Sequence, residues 1–132
     1  MSTTHPFTVV MAQLNFVVGA IDDNTALLID SARRAIAEYN AQFVIFPELT
    51  LTSYPPEDLL LRPSLAPRMK EAMDRILAAK LPTTLVFGYP ESSDGTLYNS
   101  LAVVAQGKLL ATYRKQCLPN YQVFDERRYF QA

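Results

Sequence analysis

The chain has 132 residues, 49% of them hydrophobic and 19% charged, which suits one ordinary domain able to bury roughly two-thirds of its unfolded surface. Its 12 basic and 13 acidic residues leave a net charge of −1 and no basic stripe, which argues against a nucleic-acid or membrane-surface partner. One cysteine (Cys117) excludes an internal disulfide and a cysteine-built zinc site, one histidine (His5) excludes a histidine metal cluster, and the lack of a membrane-length apolar run or a leader pattern reads as soluble and cytoplasmic.

In chain order, Phe7 to Asn15 (FTVVMAQLN) is an apolar, β-branched run of strand length. Its continuous apolarity predicts a central strand covered on at least one face. Gly19 breaks it, and Asp22-Asp23-Asn24 offers side-chain oxygens for a helix N-cap. Residues 24–39 carry Leu28, Ala32, Ala35, Ile36 and Tyr39 at helical spacing, a surface helix with one buried face. Phe43 to Phe46 is a short apolar burst that stops at Pro47-Glu48. Strand, helix and strand make a βαβ unit with parallel strands, so Glu48 falls just past the carboxyl end of a buried strand, where open α/β sheets place their sites. A glutamate there also fits a solvated loop.

Four prolines, Pro55, Pro56, Pro63 and Pro67, stiffen the next segment, with room for a short helix from Asp58 to Leu61. Residues 65–80 return to helical spacing through Leu65, Met69, Met73, Ile76 and Leu77. Thr84–Tyr89, Leu97–Ala105 and Leu109–Tyr113, separated by turn signals at Asp94-Gly95 and Gln106-Gly107, read as an antiparallel meander. The expected fold is therefore α/β with a mixed sheet, helices on one face and a second layer on the other. The meander runs into YRKQCLPNYQVFDERRYF (Tyr113 to Phe130), dense in charge and aromatics, with Lys115 at a strand end and a turn at Pro119-Asn120. Glu48 and Lys115 thus both follow apolar strands. Brought within about 3 Å of each other, such a pair holds both groups charged: the carboxylate can take a proton from a nucleophile, and the ammonium can stabilise an oxyanion.

FPEL followed by TLTSYPPEDL, then YRKQCLPNYQVFDERRYF, resembles the nitrilase (carbon–nitrogen hydrolase) superfamily. Within it the chain is similar to the glutamine-hydrolysing amidase domain at the N-terminus of glutamine-dependent NAD+ synthetases. The likeness runs from the MAQLN strand and the Gly19–Asn24 turn to Phe130, with PPEDLL and LPNYQVFDERRYF its most specific parts. The resemblance implies an α-β-β-α sandwich and a Glu–Lys–Cys triad. Glu48 matches the general base, Lys115 the lysine, and Glu126, in F-x-E-x-x-x-F, a second glutamate that positions the lysine. Tyr121 matches a residue near the glutamine pocket, and Tyr54 is expected to wall it.

The family's nucleophilic cysteine follows a later strand that this sequence does not reach. Cys117 stands where many relatives carry histidine and is read as a structural, small buried hydrophobe. The resemblance thus implies residues 1–132 to be the N-terminal half of an amidase domain, inactive alone, with the remainder and a synthetase domain absent. It implies no cofactor in this chain, ATP and Mg for the absent synthetase domain, glutamine as substrate, and homo-oligomers. A non-catalytic fragment or assembly module remains an alternative. So does a stand-alone amidase of the superfamily, against which PPEDLL and LPNY argue. Strands with apolar residues on both faces also predict an open face that promotes association or marginal stability.

Overall fold

A computed structural model describes residues 4–132. Five strands form one sheet in the order β1 (Val9–Met11), β2 (Phe43–Ile45), β3 (Thr84–Ser93), β4 (Thr96–Ala105) and β5 (Lys108–Arg114). The first three are parallel, joined through helices α1 (Ile21–Tyr39) and α2 (Leu65–Ala78), and β3, β4 and β5 pair antiparallel. The connections explain the change of direction. A parallel return needs a crossover of helix length, whereas two residues suffice for a hairpin. Both hairpin turns put both central residues at positive φ, 50° and 79° at Asp94-Gly95 and 51° and 75° at Gln106-Gly107, the geometry of a type I′ turn. The mixed sheet expected from the sequence is present.

The two faces of the sheet differ. Val44, Leu85, Phe87, Ala102 and Val104 are at most 2% exposed and pack in one core with Leu28 and Ala32 of α1 and with Met69 and Ile76 of α2. Each large apolar side chain buried this fully contributes roughly 1.5–3 kcal/mol. On the opposite face the register lines up Met11, Ile45, Val86, Val103 and Ala111 across all the strands. There Met11 is 80% and Ile45 39% exposed. Among the described residues no second sheet covers this face.

Three expectations are corrected. β1 is short and lies at the sheet edge, not at its centre: the chain leaves the ladder after Ala12, whose N–H still reaches Ile45 at 2.8 Å. Apolar character on both faces, taken as a mark of centrality, here belongs to a strand whose one face is the open one. Second, α1 starts at Ile21, and its N-cap, Ala20, makes no side-chain cap bond. Asn24 instead turns inward, 2% exposed, accepting from the Val17 N–H at 2.9 Å and donating to the carbonyls of Val17 at 2.8 Å and Leu51 at 3.1 Å. A buried amide needs several partners, and two loops supply more of them than a helix end does. Third, Tyr39, the last residue of α1, is exposed.

Candidate active site

Past β2 the backbone stays tied to β3: the Phe46 N–H bonds to Val86 at 2.8 Å and the Gly88 N–H to Pro47 at 3.2 Å. The contact is so close that a Cβ at Gly88 would lie 2.3 Å from the Leu49 nitrogen and 2.9 Å from the Glu48 Cα. Only glycine lets the chain cross β3 at this point. Leu49 adopts φ 49°, the left-handed region that side chains disfavour, and its side chain is fully buried. Leu51 and Thr52 are buried behind it, so the backbone of Glu48 is held on both sides while its side chain remains 46% exposed.

Lys115 arrives from β5. Its N–H extends the β4–β5 ladder to the Asn99 carbonyl at 2.8 Å, and its ammonium donates to Glu48 Oε1 at 2.7 Å. The distance anticipated from the two strand ends is met. Glu126, 6% exposed, begins a single 3-10 turn (Glu126–Arg128) and lies on the other side of the ammonium, with Oε1 at 3.3 Å and Oε2 at 3.2 Å. Desolvation is the largest influence on Lys115 and lowers its pKa, but the hydrogen bonds and charges of Glu48 and Glu126 together outweigh it and hold the ammonium above the ordinary lysine range. Lys115 is therefore a protonated cation and hydrogen-bond donor at neutral pH.

Tyr54 donates to Glu126 Oε1 at 3.3 Å, and burial, reinforced by the Glu126 charge, pushes its phenol pKa up. Two further contacts pin the 3-10 turn to the proline-rich loop: Tyr129 donates to Asp58 at 2.6 Å, and Arg128 lies 3.4 Å from the same carboxylate. Tyr121 is separate. It is 64% exposed, meets Phe124 edge-on at 5.6 Å, and lines an open groove of about 880 Å³ that Lys115 and Cys117 also line. Among the described residues, no hydrogen bond joins it to Glu48, Lys115 or Glu126. Cys117, expected to be buried, is exposed, because it sits on the open segment between β5 and the Pro119 turn. Glu48 and Lys115 line a smaller hollow of about 240 Å³ whose wall includes Gly88 and Asn99.

Asn99 and Gly88 were not singled out from sequence. Asn99, 4% exposed on β4, donates to Glu48 Oε1 at 2.6 Å. The available signal was a polar Asn99-Ser100 pair inside an otherwise apolar strand. Among the described residues no group of three or more His, Cys, Asp or Glu side chains is disposed to hold a metal, and no helix is long and apolar enough to cross a membrane.

A carboxylate and an ammonium just past the carboxyl ends of β2 and β5, with a second carboxylate on the ammonium, is an arrangement that suits attack on a carbonyl. Comparison with known proteins gives it a family. The chain is 47% identical over 128 residues to the glutamine-dependent NAD(+) synthetase of Xanthomonas campestris pv. campestris, covering 97% of this chain and 23% of that protein. It is 41% identical to the synthetase of the same name from Thermotoga maritima, covering 92% of this chain and 21% of that one. The chain thus spans about a quarter of these relatives' length. The glutamine-dependent NAD+ synthetase structure from Acinetobacter baumannii superposes with a TM-score of 0.91 at 44% identity, over 95% of this chain and 24% of that one. An amidase from Nesterenkonia sp. AN1 shares the fold, with a TM-score of 0.81 at 22% identity over 93% of this chain and 47% of that one. With the carbon-nitrogen hydrolase profile matching residues 8–132, the chain belongs to the carbon–nitrogen hydrolase family.

Proposed function

We propose that this chain supplies the Glu–Lys part of a glutamine-hydrolysing site whose ammonia serves NAD+ synthesis from nicotinic acid adenine dinucleotide. The observation that carries the reading is the Lys115 ammonium held between Glu48 at 2.7 Å and the buried Glu126. The high identity to glutamine-dependent NAD+ synthetases supports the substrate.

In this mechanism Glu48 takes the proton of a cysteine thiol contributed by residues beyond the chain in hand. The sulfur adds to the side-chain amide carbon of glutamine, and the Lys115 ammonium stabilises the resulting oxyanion. Glu48 then returns the proton to the leaving nitrogen, ammonia departs, and a thioester remains. A water that gives its proton to Glu48 attacks the thioester, releasing glutamate and restoring the thiol. Glu126 orients Lys115, Tyr54 holds Glu126 and walls the site, and Tyr121 borders the substrate groove. A synthetase domain using ATP and Mg is the ammonia's destination, the enzyme is cytoplasmic, and copies of it associate.

The test is a chimera in which residues 8–132 replace the matching segment of the Xanthomonas campestris relative. Ammonia release from glutamine is expected, falling about 10³-fold or more in Glu48→Gln, at the upper end of what a general base supplies. A folded chimera that hydrolyses glutamine as well with Glu48→Gln as without it would remove the assignment. The 132-residue chain alone is expected to release no ammonia from glutamine.

A further inference from the structure

We propose that Asn99 is a positioning residue of this site, clamping one oxygen of Glu48 while its own backbone aligns Lys115. This rests on the reading of Glu48 as the base. Two donors converge on a single carboxylate oxygen: Asn99 Nδ2 at 2.6 Å and Lys115 Nζ at 2.7 Å both bind Glu48 Oε1. The second oxygen makes no hydrogen bond among the described residues, which leaves it as the one that accepts the nucleophile's proton. The Asn99 carbonyl meanwhile accepts the Lys115 N–H at 2.8 Å, so one residue sets both the carboxylate and the root of the lysine side chain.

The placement suits the task. Asn99 is 4% exposed on β4, with Pro90 of β3 opposite it in the ladder, so its backbone is fixed by the sheet and its amide has little freedom to turn elsewhere. Glu48, by contrast, has a half-exposed side chain on a loop and needs an outside constraint. Lys115 alone does not provide one, because an ammonium is a compact charge on a flexible stem, whereas a carboxamide donor on a strand has a defined direction. Residues that hold a reacting group to within a fraction of an ångström act on the chemical step, and misplacement of about 1 Å costs about 10²-fold.

The test uses the chimera with Asn99→Asp, Asn99→Ser and Glu48→Gln, measuring kcat and KM for glutamine together with thermal melting. Asn99→Asp keeps the shape and replaces the donor by an acceptor facing Glu48; Asn99→Ser keeps a small polar group too short to reach it. Both are expected to lower kcat about 10- to 100-fold with KM changed less than about threefold, in protein still folded at the assay temperature. If Glu48→Gln abolishes activity while a folded Asn99→Asp or Asn99→Ser enzyme keeps its kcat, or changes only KM, the positioning role is wrong and the base assignment stands. If Glu48→Gln itself is active, the underlying reading fails instead. If Asn99→Asp does not fold, the kcat of Asn99→Ser decides.

Discussion

Arg114 and Lys115 are neighbours in sequence, each at the end of β5 and each paired with carboxylate, yet they are different kinds of pair. The Arg114 guanidinium grips Glu91 through two bonds, Nε at 3.0 Å and Nη2 at 2.8 Å, with Ser100 donating to the same carboxylate at 2.7 Å and the Tyr98 ring 3.8 Å away. Every oxygen of Glu91 is engaged. The Lys115 ammonium is shared between two carboxylates on separate segments, and one oxygen of Glu48, which lines a hollow, makes no hydrogen bond among the described residues. A planar fork fits one carboxylate and stays there, whereas an ammonium is a point charge that can be redirected to a new oxyanion without breaking a fixed geometry. The first pair fastens β3 to β5 across β4; the second is the one to which the proposed mechanism gives the chemistry.

The largest effect that bears on this contrast is expected from Lys115→Met in the chimera, a loss of roughly 10²–10³ in kcat, the usual consequence of removing an oxyanion stabiliser. Arg114→Met should leave kcat within about threefold and act on stability. Equal loss of activity in the two variants, with both folded, would erase the distinction between them.

Next is Gly88→Ala. The added methyl collides with backbone at Leu49 and Glu48, so the loop must move, and we expect about a 10- to 100-fold loss of kcat together with a lower melting temperature. Unchanged kinetics would show that Glu48 does not depend on the close crossing.

A smaller effect concerns pH. Hydrogen bonding from Arg114, the largest influence, together with the Ser100 bond and the Arg114 charge, holds the Glu91 pKa below the ordinary glutamate value against the opposing effect of burial. Because the folded-state value is depressed, the stabilisation is complete above the unfolded glutamate pKa and is lost as pH falls through the folded one. Melting curves of wild type and Glu91→Gln should therefore differ by about 3 °C near neutrality and converge in acid. A gap that widens on acidification would contradict the assignment. Cys117→Ala should be the quietest change, within about twofold in kcat, since the exposed thiol makes no hydrogen bond to Glu48 or Lys115 among the described residues. An ammonia-releasing activity abolished by this substitution would overturn the view that the nucleophile comes from elsewhere.

Much of this was legible from local chemistry alone. Apolar runs, helical spacing and the two glycine turns encode strands, helices and hairpins through contacts a few residues apart, and they led to the mixed sheet. The strand-end positions of Glu48 and Lys115 likewise made them candidates before any contact was known, whereas Glu126 became one only through the family resemblance of the motif around it. What only the tertiary structure decided depends on residues distant in the chain. Edge or centre for β1 rests on which strands lie beside it, and a run of apolar residues is the same in either place. Asn24 reads as a cap until Leu51 offers its buried amide another partner. Gly88 carries no local mark of importance, and Asn99 only the weak one of a polar pair in an apolar strand. The need for them arises where Leu49 crosses β3 and where Glu48, 51 positions away from Asn99, comes within 2.6 Å of its amide. Such demands are steric and electrostatic meetings in space, and a one-dimensional pattern does not contain them.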